Sequence, residues 1–137
     1  MSLAKSESME LKTHLAIDRS LCGEVVELAD GYAKVRLVTT PQMAADERGL
    51  VHGGFTFGAA DFAAMAAVND PYVVLVAAEV RFLAPVVVGD VVECEARVRE
   101  KEGKKARVEV LGVVQGRTVF EGKFSTYTPA QHILDRS

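Results

Sequence analysis

An α+β fold, one curved antiparallel sheet of about six strands wrapped around a long central helix, follows from three features of the 137-residue sequence. Residues 54–69, GFTFGAADFAAMAAVN, are rich in helix-favouring Ala and hold one charged residue. A helix apolar nearly all round calls for burial. Six runs of strand character, at 22–29, 32–39, 73–84, 90–101, 105–115 and 118–127, flank that helix in the chain. Short turns between runs make consecutive strands antiparallel neighbours, so the sheet is single and antiparallel.

In chain order, Met9, Leu11, Leu15 and Ile17 suggest a short helix leading into the body, on an irregular period. The runs 22–29 and 32–39 flank Asp30-Gly31, a dipeptide suited to the positive φ angles of a tight hairpin. In the second run Ala33, Val35 and Leu37 alternate with Lys34 and Arg36, so one face is buried and the other wet. Residues 40–51, with Pro41 and Asp46-Glu47-Arg48-Gly49, read as a loop. The small side chains of 54–69 let neighbouring backbone approach, as a sheet wrapped around the helix requires. Beyond Pro71, the alternation is clearest at 90–101, where Val92, Cys94, Ala96 and Val98 oppose Glu93, Glu95, Arg97 and Arg99. Gly89-Asp90, Glu102-Gly103 and Gln115-Gly116 supply the turns. No repeat or linker divides the chain, so residues 1–137 read as one domain, with about residues 1–8 expected to be flexible.

Composition excludes several functions. The net charge of −3 and pI of 5.6 argue against a nucleic-acid binder, which would show a basic stripe. The N-terminus lacks a signal-peptide core and no stretch approaches a membrane span, which points to a cytoplasmic protein without a membrane partner. Cys22 and Cys94 have no CxxC and no clustered His, so neither a metal site nor a disulfide framework is expected. Both are read as buried free thiols on strands.

Asp61 is the charged residue within 54–69. A buried carboxylate is costly unless it is paired or protonated, so its presence asks for a reason. It could cap a second helix start after Gly58, or it could do chemistry. His52-Gly53-Gly54 precedes the helix, where backbone N–H groups are unsatisfied and the helix dipole is positive. Donors fixed there stabilise an oxyanion, such as forms when a thioester carbonyl is attacked. Gly53 and Asp61 stand eight residues apart, roughly 12 Å along one helix at 1.5 Å per residue. One carbonyl cannot reach both within one chain. Two such helices packed antiparallel in a symmetric dimer would bring the helix start of one subunit near Asp61 of the other, making two composite sites.

The segment HGGFTFGAAD at 52–61, with Asp61 nine residues after His52, resembles the hot-dog-fold acyl-CoA thioesterases of the phenylacetate/4-hydroxybenzoyl-CoA type. EVRFLAPVVVGD at 79–90 resembles the same family's segment after the helix. The resemblance implies a hot-dog fold and hydrolysis of an acyl-CoA, with coenzyme A as part of the substrate and no separate cofactor or metal. It implies that the Gly53 amide polarises the carbonyl, that Asp61 attacks it or activates water, and that His52 positions. A homodimer, or a dimer of dimers, would follow. Gly54, Asp46 and Phe82 are the candidate substrate contacts. Asp46 departs from the family, whose members commonly carry Asn or Gln there; a carboxylate donates no hydrogen bond unless protonated. It either enters the site as a second acid or is a solvated loop charge.

No P-loop or dinucleotide fingerprint is present, so surface cations would hold the coenzyme A phosphates. Arg81, Lys104, Lys105, Arg117 and Lys123 qualify by charge alone. His14 and His132 receive no role. Three other readings compete: a hot-dog hydratase or dehydratase using Asp61 with His52, a non-catalytic acyl-CoA-binding module, and an unrelated interaction domain that leaves Asp61 unexplained.

Overall fold

The computed structural model describes residues 9–135; the flexible segment expected at 1–8 lies outside them. In chain order the elements are α1 (Arg19–Cys22), β1 (Glu24–Ala29), β2 (Tyr32–Val38), a 3-10 turn (Pro41–Met43), α2 (Gly53–Val68), β3 (Val74–Phe82), β4 (Val91–Glu102), β5 (Lys105–Val114), β6 (Arg117–Tyr127) and a last 3-10 turn (Ile133–Asp135). The six strands form one antiparallel sheet in the order β1-β2-β4-β5-β6-β3. This is the hot-dog arrangement that the sequence predicts.

Helix α2 begins where His52, in extended backbone, hands over to Gly53, and ends at Asn69, whose left-handed backbone (φ 55°) donates its N–H to Met65 O at 2.8 Å. Asn tolerates that conformation better than most residues, so the helix stops there. Its sides bury Thr56, Ala59, Ala60, Phe62, Ala63, Ala64, Met65, Ala66 and Ala67, chiefly against β2 and β4 and then β5. The strands answer with Ala33, Val35, Leu37, Val92, Cys94, Ala96, Val108 and Val110, all inward and dry. Short side chains on both surfaces let the sheet close on the helix. Further along, Gly122 leaves room for aromatic rings: a Cβ there would stand 2.8 Å from Phe124 Cε1 and 2.9 Å from Val80 Cγ1. Phe120 and Phe124 fill that space, fully buried.

Three expectations are corrected. Residues 9–17 form no helix: His14 has φ 56°, and the Lys12 N–H and Glu10 C=O bond to the Asn69 side chain instead of to a helical turn. Cys22 closes α1 rather than opening a strand and is half-buried, whereas Cys94 lies buried on β4; both are free thiols. The Gly89-Asp90 turn does not fold β4 back on β3. Val87 N donates to Asp90 Oδ2 and Asp90 N to Val87 O, while Thr39 N donates to Asp90 O, so the turn delivers the chain to the end of β2. β4 therefore pairs with β2 and β5, and β3 pairs with β6 alone at the sheet edge. The hairpins at Asp30-Gly31, after Glu102 and at Gln115-Gly116 form as expected, with positive φ at Gly31, Gly103, Gln115 and Gly116.

Candidate functional site

The loop before α2 is a folded hairpin rather than free chain. Ala44 bridges Val51, Leu50 bridges Val87, Val51 N donates to Val86 O at 2.8 Å, and His52 N donates to Met43 O at 2.9 Å. Asp46 shapes its tip: Oδ1 accepts from Arg48 N at 3.0 Å and Leu50 N at 3.1 Å, and Gly49 supplies φ 85°. Among the described residues no hydrogen bond joins Asp46 to His52, Gly53 or Asp61.

At the helix start His52 makes no side-chain cap. Its imidazole folds back over the second glycine, because a Cβ on Gly54 would lie 3.0 Å from both Cδ2 and Nε2. The ring also meets Phe55 edge-on, with centroids 6.1 Å apart. Phe55 N donates back to His52 O at 3.0 Å, whereas the Gly53 and Gly54 N–H groups have no internal acceptor among the described residues. Two free donors at the positive end of a helix can hold the oxygen of a polarised carbonyl. Phe82, 54% exposed at the end of β3, lies against Gly53 and meets the buried Phe120 edge-on at 5.3 Å. His52, Gly53, Gly54 and Phe82 thus gather at one place.

Asp61 is two turns further along α2. Its Oδ1 is buried and has no hydrogen-bond partner, and burial pushes the carboxyl up to about 6. Facing it along the helix, Gly58 has open space where a Cβ would be. A carboxyl held in that range is ionised at neutral pH and more basic than an ordinary carboxylate, which suits a general base. Cys22 comes to this carboxylate through α1: the thiol's pKa is raised by burial, then by the charges of Asp18 and Asp61. Nothing in the local pattern at residue 22 signals that neighbour, which lies across 39 residues of chain.

Arg81 and Lys123 lie on the outer face of the sheet. Arg81 stands opposite Glu121, and Lys123 opposite Glu79 and Glu109, so both belong to rows of alternating charge. Among the described residues no cluster of three or more His, Cys, Asp or Glu could hold a metal ion, and no helix is long and apolar enough to cross a membrane.

Residues 48–121, which include the helix start, Asp61 and Phe82, match the family described as the thioesterase superfamily. The solved structure of the uncharacterized protein PH1136 from Pyrococcus horikoshii is similar at 50% identity and TM-score 0.91, over 93% of this chain and 98% of that one. The PaaI protein of the phenylacetic acid degradation operon of E. coli is similar at 27% identity and TM-score 0.73, over 80% and 85%. A methylthioribose-1-phosphate isomerase of Aquifex aeolicus is 53% identical over 118 residues, 86% of this chain but 26% of that protein. The transcription factor FapR of Shouchella clausii is 29% identical over 106 residues, 77% of this chain and 56% of that protein. The chain thus spans about a quarter and just over half of these two relatives. With its six-stranded sheet around α2 and the matched stretch 48–121, the chain belongs to the thioesterase superfamily and has the hot-dog fold.

Proposed function

We propose that the protein is an acyl-CoA thioesterase in which Asp61 is the nucleophile or general base and the Gly53 amide polarises the thioester carbonyl. The observation that carries this reading is the Asp61 carboxyl: half-buried on an apolar helix, its Oδ1 unpartnered, raised to about 6. A structural carboxylate would be expected to have its hydrogen bonds made. In the general-base route, Asp61 takes a proton from water, the hydroxyl adds to the carbonyl carbon, and the oxygen's growing charge falls on the Gly53 N–H. The C–S bond then breaks and the coenzyme A thiolate takes up the proton. In the nucleophilic route the carboxylate adds to the carbonyl carbon and the C–S bond breaks to release the coenzyme A thiolate. Water then hydrolyses the mixed anhydride, giving back the Asp61 carboxylate and the free acid, whose proton the thiolate takes up. His52 and Gly54 shape the rim, Phe82 lines the acyl side, and Asp46 acts on the substrate through the loop that it shapes.

The site is assembled between two subunits. Eight residues separate Gly53 from Asp61, roughly 12 Å at 1.5 Å per residue, so one carbonyl needs the helix start of one chain and the carboxylate of the other. The means of association is β3: it is paired on one side only, and Val76, Ala77 and Ala78 are exposed along it. An unpaired apolar edge is a template for another strand. A reducing cytoplasm would keep Cys22 and Cys94 as thiols.

A second reading draws on the similarity to FapR, a transcription factor: the same fold could bind an acyl thioester without turning it over. One experiment separates the two. A panel of acyl-CoAs is followed for release of free coenzyme A and, in parallel, for binding by calorimetry. Release from at least one member supports the hydrolase; binding without release from any member favours the binding module.

A further inference from the structure

Residues 9–22 run along α2 from its C-terminal end toward its middle, and three contacts hold them there. At the helix end the Asn69 side chain donates from Nδ2 to Glu10 O at 2.8 Å and accepts at Oδ1 from Lys12 N at 2.7 Å. One amide thereby meets the passing backbone much as a neighbouring strand would. Further on, His14 stacks on Phe62, centroids 6.0 Å apart and planes 21° apart, while the buried Thr13 hydroxyl bonds His14 Nδ1 at 2.7 Å. Phe62 is the residue next to Asp61. The segment ends in α1, which packs on α2 and brings Cys22 within electrostatic reach of Asp61.

The backbone at position 69 does not by itself call for Asn. Its φ of 55° is a conformation that Gly adopts with less strain. What Gly would lack is the amide that grips Glu10 and Lys12. We propose that Asn69 is a positioning residue: by clamping the backbone at Glu10 and Lys12 it fixes residues 9–22 over the middle of α2 and keeps water from one side of Asp61. This rests on the reading of Asp61 as the reacting carboxylate.

On this strap the His14 ring, whose pKa burial lowers, stacks on Phe62, and the Cys22 thiol feels the charge of Asp61. Arg19 lines a surface pocket together with Phe62, and Asp18 is exposed, its carboxylate accepting from Ser20 N and Oγ. Among the described residues no Lys or Arg forms an ion pair with Asp61, and burial is the cause of its raised carboxyl. The sheet side is apolar but for Thr126 and the Cys94 thiol, which burial pushes up to about 12. The strap therefore acts on Asp61 by excluding water, the same cause that raises its carboxyl.

The test uses Asn69→Gly and Asn69→Asp in the full chain, with hydrogen exchange at the Lys12 amide and carbon NMR titration of the Asp61 carboxyl. Asn69→Gly suits the backbone but removes the clamp; the Lys12 amide should exchange at least about tenfold faster, and the Asp61 midpoint should fall by about one pH unit or more. Asn69→Asp keeps the acceptor for Lys12 N and loses the donor to Glu10 O, so it should shift both readouts less, and it carries the test if Asn69→Gly does not fold. A freed Lys12 amide with an unmoved Asp61 midpoint overturns the proposal, as does an unchanged Lys12 amide in both variants. Neither readout needs turnover, so a chain that hydrolyses nothing would overturn the proposed function and leave this test standing.

Discussion

The ring of Phe82 lies against the backbone of Gly53: a Cβ placed on Gly53 would stand 3.2 Å from Phe82 Cε1 and 3.6 Å from Cδ1 and Cζ. A side chain from the edge strand thus borders the N–H proposed to hold the carbonyl. Gly53→Ala should push the ring aside and misplace the donor, lowering kcat/KM by at least about tenfold. Phe82→Ala should remove a contact made equally before and during reaction, raising KM severalfold with a smaller change in kcat. Steady-state kinetics over one reactive acyl-CoA checks both, and unchanged constants in Gly53→Ala would remove that amide from the mechanism.

The raised carboxyl of Asp61 sets a pH dependence. The ionised form is the reactive one, so turnover should climb as pH rises through about 6 and level above it. In Asp61→Asn the residual rate should lack that limb. A limb that survives the substitution unchanged assigns it to another group.

The same shift fixes the sign of a stability effect. The folded-state pKa, about 6, lies above the ordinary value of 3.8, so the fold favours the protonated acid. Stability from this group is fully present below about pH 4 and is lost as pH rises to about 6. Asp61→Asn should therefore be more stable than the wild type near pH 7, by about 1–2 kcal/mol once solvent screening is allowed for, with the gap closing near pH 4. Urea denaturation at the two pH values reads the difference; a less stable Asp61→Asn near pH 7 would mean that the carboxylate is held by a favourable partner.

Association through β3 makes a separate prediction. Val76, 60% exposed on that edge, should not tolerate a charge facing another strand. Val76→Lys should give a folded monomer by gel filtration and circular dichroism, with turnover lost because each site lacks its second half. A monomer with full activity contradicts the composite site.

Much of this was legible in the chain because local pattern and final burial coincide. Ala33, Val35 and Leu37 are dry as their alternation implies, and the unbroken apolarity of 54–69 marks a helix enclosed by sheet. What failed depends on long-range partners. The turn at Gly89-Asp90 forms, but the Thr39 contact and the β2–β4 ladder that continues from it join stretches far apart in the chain. Met9 to Ile17 carries apolar residues because the segment packs on the core, yet Asn69, far along the chain, takes the backbone groups a helix would need. At the site, His52-Gly53-Gly54 and Asp61 lie within ten consecutive residues and so were visible, whereas the closeness of Cys22 to Asp61 and the use of Asp46 Oδ1 within its own loop exist only in the folded chain.

The central claim is that Asp61 carries out the chemistry, and hydrolysis of acyl-CoAs by wild type and Asp61→Asn side by side tests it most directly. The thiol readout is corrected for Cys22 and Cys94, and the oligomeric state of both proteins is measured in the same samples. The account predicts a fall of at least about a hundredfold in Asp61→Asn with its assembly intact. Equal rates in the two proteins would contradict it.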